Sequence, residues 1–236
     1  MRSIVRMAVA SVMVVGAVRA EAQLPTVQQV YDKYAAAVGG RDAWKVVAGR
    51  SEKGTADITF AGMSGAYERH SAQPNKMRMI IDLGIVKIDQ GFDGEIGWAD
   101  QGQGAQRMPA EQEKDMGEPT PDGAHFLNPA RFAKATVDAK EAFDGVEAYK
   151  LSVTSKSGRE SVQYFDTNTG LLIGSINKTP MGEQQVLYKD YKPFDGKLVA
   201  TKVVQATPQG DVVLNIQIVT FGPPDATYFK APAGLK

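Results

Sequence analysis

Two histidines, His70 and His125, no cysteine, and carboxylates set mostly in turn sequences are what this chain offers for a metal or acid–base centre. A zinc site would need both histidines plus carboxylates, and no HExxH spacing is present. His70 reads as a strand-surface residue and His125 as part of a long loop. Asp166-Thr167-Asn168-Thr169-Gly170 has the alternating oxygens that open a calcium loop, but the distal glutamate is missing because an apolar strand follows. Local hydrogen bonding in a hairpin turn accounts for the same residues. There is no GxSxG nucleophile elbow and no glycine-rich phosphate loop between a strand and a helix. The residues therefore indicate no catalytic set, no metal and no cofactor, and the expectation is a non-enzymatic protein.

What the chain does offer is apolar surface at strand spacing. Met77, Met79 and Ile81 alternate with polar or outward positions, as do Tyr149, Leu151 and Val153, and Val212, Leu214, Ile216 and Ile218. The elements that would position these faces follow from turn chemistry. Pro74-Asn75 is a turn, Gly84 breaks the run after Asp82, and Asp93-Gly94 supplies a tight hairpin before Trp98. Similar turns recur at Asp144-Gly145, Ser157-Gly158, Asp195-Gly196, Gln209-Gly210 and residues 180–182, giving an antiparallel meander. The expected fold is mainly β (α+β). It is a strongly curved antiparallel sheet, an incomplete β-barrel of about eleven strands, because strand twist makes so large a sheet curl. A two-sheet sandwich is the alternative. Helices are expected on the concave side. Thr26 and Gln29 form a capping box for a helix whose face carries Val27, Val30, Tyr31, Tyr34 and Val38, and a second short turn carries Trp44. Residues 101–134, rich in Gly, Pro, Gln and Glu, form a long insertion of the kind that serves as a lid. A curved sheet with a lid can leave a cavity for an apolar ligand, and it can equally be filled by its own core.

Residues 1–22 read as a secretory signal peptide. Arg2 and Arg6 precede an apolar run that ends before Ala20-Glu21-Ala22. The run is shorter than the ~20 residues a membrane-spanning helix requires, so the mature product, 23–236, is expected as a single exported domain that does not span a membrane. Without cysteine it has neither disulfides nor an acceptor for lipid anchoring. The whole chain carries 27 basic and 27 acidic residues. Removing the leader's three arginines and one glutamate leaves a net charge of −2. Without a basic stripe, nucleic acid is excluded as a partner.

Several segments together resemble one family: residues 31–44 (YDKYAAAVGGRDAW), 73–78 (QPNKMR), 91–98 (GFDGEIGW), 164–172 (YFDTNTGLL), 190–196 (DYKPFDG) and the ending Phe229-Lys230-Ala231-Pro232-Ala233-Gly234. In order and spacing the chain is similar to the Lol-type outer-membrane lipoprotein-sorting superfamily. The resemblance implies an incomplete barrel with a helical lid whose apolar cavity holds acyl chains, and a bacterial periplasmic location. It implies lipid or acylated lipoprotein as cargo and a cavity lined from Tyr31, Tyr34, Trp44, Met77, Met79, Ile81, Trp98, Tyr149, Leu151, Leu214 and Ile216. Carriers of this family place an arginine before the Pro-Asn turn to latch the lid. Here Gln73 holds that position, a neutral amide in place of a guanidinium fork. The second reading is a non-catalytic envelope scaffold that binds a protein partner.

Overall fold

The computed structural model describes residues 23–120, 122–179 and 182–235; the leader expected at 1–22 lies outside them. The helix α1 (Val27–Ala37) begins at the expected capping box, with the Thr26 hydroxyl accepting from the Gln29 amide and the Gln29 side chain accepting from the Thr26 amide. Its apolar face, Val30, Tyr31, Tyr34 and Ala35, is buried. Gly39 and Gly40 then adopt positive φ, a conformation that ends the helix without a Cβ penalty. The short helix α2 (Arg41–Lys45) follows, and its Trp44 indole donates to the Val38 carbonyl at 2.9 Å.

The first six strands are β1 (Gly49–Ile58), β2 (Met63–Ala72), β3 (Lys76–Asp82), β4 (Lys87–Phe92), β5 (Gly97–Asp100) and β6 (Gln106–Arg107). After a crossing segment with the helix α3 (Ala110–Met116) come β7 (Lys134–Phe143), β8 (Val146–Thr154), β9 (Glu160–Asp166), β10 (Leu172–Thr179), β11 (Gly182–Phe194), β12 (Lys197–Thr207) and β13 (Gly210–Phe221). All form one antiparallel sheet in the order β6-β5-β4-β3-β2-β1-β13-β12-β11-β10-β9-β8-β7. It is a single curved sheet rather than a sandwich, and it is not closed, because β6 and β7 are its two edges. Among the described residues the strand number is thirteen rather than about eleven. The two-residue β6, inside the segment read as insertion, is too short to leave a period in the sequence. The Asp-Gly hairpins at 144–145 and 195–196 have positive φ at both positions, as tight primed turns require.

The chain begins and ends its sheet in the centre, where β1 pairs with β13. To continue from β6 it must cross from one edge to the other. It does so through α3 and two 3-10 turns, Ala124–Leu127 and Pro129–Arg131, which pack against α1 and α2. Beneath these helices lies the main core: Tyr31, Tyr34, Val38, Trp44 and Leu127 against Leu151, Val153, Phe165, Leu172 and Val199. The Phe165 ring centroid is 5.4 Å from those of both Tyr31 and Tyr34. Tyr31 donates to the Gln163 side chain at 2.6 Å, so its buried hydroxyl is not left unpaired. Leu151 is completely buried at this helix–sheet junction. Leu151→Ala should therefore lower unfolding free energy by about 2–5 kcal/mol, read as a shift of the denaturant midpoint at constant slope.

Candidate functional site

Cross-strand register places two rows of side chains on the concave face of the first meander. One runs Arg50, Ser71, Met77, Phe92 over β1 to β4; the next runs Glu52, Arg69, Met79, Gln90. Between this face, the helices and the second meander is a cavity of about 460 Å³. Its apolar wall includes Met77, Met79, Leu214 and Ile216 with Val186, Val199 and Val203, and Tyr34, Trp44 and Leu127 close it from the helical side. That size lies within the ~300–1,000 Å³ of small-molecule sites.

Six of the residues expected to line the cavity do so: Tyr34, Trp44, Met77, Met79, Leu214 and Ile216. The other five lie elsewhere. Tyr31 and Leu151 are sealed in the packed core under α1, and Tyr149 packs at its margin, beside the start of the helix. Ile81 packs into a second cluster with Ala56, Tyr67 and Leu214. Trp98 belongs to the opposite face of the sheet, in the row Ser51, His70, Arg78, Gly91, Trp98. There its ring lies over Gly91, where an added Cβ would come within 2.3 Å of it. A four-residue strand has too little alternation to assign its face, and residue type alone does not separate inward from outward there.

Charge inside the cavity is what residue-type reasoning did not find. Arg50, Glu52, Tyr67 and Arg69 all line it. Arg50 Nε is 3.2 Å from both the Glu52 and Asp122 carboxylates, and Arg69 is 3.8 Å from Glu52. Tyr67 donates to Glu52 at 3.1 Å, and Ser71 donates to Asp122. Asp122 comes from the crossing segment and is fully buried. Burial opposes its ionisation, but the Arg50 and Arg69 guanidiniums and the Ser71 hydroxyl outweigh it and hold the carboxyl below its usual range. Burial and the adjacent Glu52 together push the Tyr67 hydroxyl far up, so it stays a neutral donor.

Beside this cluster the Gln73 amide donates to the Val47 carbonyl at 2.6 Å and to the Asp122 carbonyl at 3.3 Å. The position thus bridges the end of α2 and the crossing segment with neutral hydrogen bonds. Arg78 forms a two-point pair with Asp89 on the outer face and donates to the Tyr228 carbonyl at 3.2 Å, fixing the C-terminal tail.

Of the chemistry weighed from sequence, Asp166 caps its own hairpin, accepting from the Asn168 amide at 2.7 Å and the Thr169 hydroxyl at 2.7 Å. Among the described residues no group of three His, Asp or Glu converges as a metal site would. Ser51 Oγ does sit 2.9 Å from His70 Nδ1, with Glu68 3.6 Å from the other ring nitrogen. That imidazole is sealed under Tyr228, ring centroids 3.8 Å apart, and leaves no approach for a substrate. No helix among the described residues is long and apolar enough to cross a membrane.

No protein-family profile and no curated protein matches the chain. Solved structures do. A DUF1329 family protein from Desulfovibrio piger superposes with a TM-score of 0.59 at 14% identity, over 86% of this chain and 96% of that one. The chain has a LolA-like fold. A LolA superfamily protein from Nitrosomonas europaea matches with a TM-score of 0.56 at 14% identity, over 88% and 99% of the two chains. A putative outer-membrane lipoprotein-sorting domain from Vibrio parahaemolyticus gives 0.56 at 11% identity, over 85% and 95%. The LolA-like fold is the frame that holds the open sheet with helices over its concave face.

Asp122→Asn leaves Arg50 with Glu52 alone and should cost about 3 kcal/mol, since it uncouples a buried pair. Because the folded pKa of Asp122 is depressed, its contribution is fully present above the ordinary value of about 3.9 and is lost as pH falls through the lower folded value. The stability gap between wild type and Asp122→Asn should stay constant from pH 8 to 5 and close only in strong acid, as followed by thermal unfolding across pH.

Proposed function

We infer that this protein is a periplasmic carrier that holds the acyl chain of a lipid or acylated molecule in the concave cavity. The observation that carries the reading is the cavity itself, with an apolar wall from strands of both meanders and a roof that the chain must cross to complete its sheet. Methionines 77 and 79 add a polarisable, adaptable surface suited to flexible chains. The LolA-like fold supports the reading, since one of the matched structures is described as a putative outer-membrane lipoprotein-sorting domain. The leader-like residues 1–22 support export through the inner membrane. Gln73 acts in this reading as a weak latch. Its two neutral hydrogen bonds hold the roof at a lower cost of opening than a charged fork would set.

The cavity of about 460 Å³ is of the size that holds one small ligand rather than several. Native mass spectrometry of protein purified from periplasm without detergent, followed by solvent extraction, should reveal a bound acylated species. Val203→Trp, which fills the cavity from its wall, should fold normally and lose that mass. A spectrum without ligand, unchanged after incubation with phospholipid and acylated peptide, would overturn the carrier reading.

A further inference from the structure

A buried guanidinium normally spends its donors on acceptors fixed around it, and each one that does not needs an explanation. Here two do not. Arg50 Nε lies 3.2 Å from two carboxylates yet hydrogen-bonds to neither, and Asp122 Oδ1 is likewise without a hydrogen bond among the described residues. Arg69 has one ionic contact among them, Glu52 at 3.8 Å, beyond hydrogen-bonding distance. Both arginines line the cavity, and Arg69 stands directly across from Met79, where the apolar wall begins. Charge balance adds a second observation. Arg50 and Arg69 face Glu52 and Asp122, so the closed cluster is neutral. Glu52 is fixed on the sheet by Tyr67 at 3.1 Å, but Asp122 belongs to the crossing roof and, among the described residues, is the roof side chain paired with Arg50. When the roof lifts, the sheet keeps two cations and one anion, and the cavity gains a net positive head.

We propose that the cavity takes a single-chain amphiphile with an anionic head group, carboxylate or phosphate, seated on Arg69 and Arg50, and that the Asp122 carboxylate holds that place in the empty protein. This rests on the carrier reading and narrows it to a class of ligand. The chain lies along Met79, Leu214, Ile216 and Val203 while the head replaces Asp122. A planar guanidinium offers paired donors to either oxyanion, whereas an alcohol or ester head leaves the arginines as poorly paired as before. Filling and release of the roof are then one exchange, in which the ligand anion and Asp122 compete for the same two cations.

The test uses the full mature protein and isothermal titration with palmitate, monopalmitoyl phosphate and hexadecanol, three probes with one chain and different heads. Wild type should bind one or both anionic probes at least tenfold more tightly than hexadecanol, and the tighter of the two names the head group. Arg69→Gln should abolish that preference while hexadecanol binding persists. Asp122→Asn should tighten the anionic probes by about tenfold and leave hexadecanol unchanged, although the same change destabilises the empty protein. A merely structural role for the cluster predicts the reverse, weaker binding of every probe in Asp122→Asn. That result, or equal affinity for all three heads in wild type, overturns the proposal and leaves the carrier reading standing. Binding of none of the probes, including hexadecanol, overturns both.

Discussion

The pairing of β1 with β13 is the constraint on which the rest depends. It joins two meanders into one sheet and places both ends of the β region at its centre. The middle of the chain must then pass from β6 to β7, the two free edges. On a strongly curved sheet that passage roofs the concave side, where its helices and loops bury their apolar faces. Leu127 in the crossing segment and Trp44 in α2 supply that burial. The roof is therefore a consequence of strand order, and so is the cavity under it.

Energetically the roof is held by two kinds of contact. Near α1 it is an ordinary aromatic and aliphatic core with satisfied polar tips, as at Tyr31 and Trp44. Near β1 and β2 it is held by charge, through Arg50 Nε and Asp122 Oδ1, which face each other at 3.2 Å without a hydrogen bond, although Ser71 donates to the other carboxylate oxygen. A buried ion pair without a hydrogen bond between its partners recovers little of its desolvation cost. Stability alone does not account for such an arrangement, since well-packed apolar residues in its place would stabilise the closed form at least as well. The anionic occupant proposed above would supply the missing acceptor.

Much of this was legible in the chain. Asp-Gly and Pro-Asn turns set the strand ends, and two-residue alternation put Met77, Met79, Leu214 and Ile216 on one face, because both signals are local. Trp98 failed for a physical reason. Alternation divides a strand into two faces without saying which is inward, and the outer face here is itself covered, by the indole over Gly91 and by the tail at Tyr228 and Phe229. The charged cluster failed for the converse reason. Arg50, Glu52 and Arg69 keep the inward period, but polar residues at that period read as solvent-facing until the register with Met79 is known. The acids of residues 101–134, Asp122 among them, read as a solvated face; Asp122 is instead fully buried, because its place under the roof depends on a crossing that no local pattern encodes.

The two tryptophans allow the central claim, an acyl chain inside the concave cavity, to be tested in one experiment. Trp44 lines the cavity and Trp98 lies on the opposite face of the sheet. Titration with a fatty acid brominated at mid-chain, which quenches indole fluorescence on contact, should quench the Trp98→Phe variant, where Trp44 alone emits. The Trp44→Phe variant should keep its emission. Equal quenching of both variants, or quenching of Trp98 alone, would place the chain outside the cavity and contradict the account.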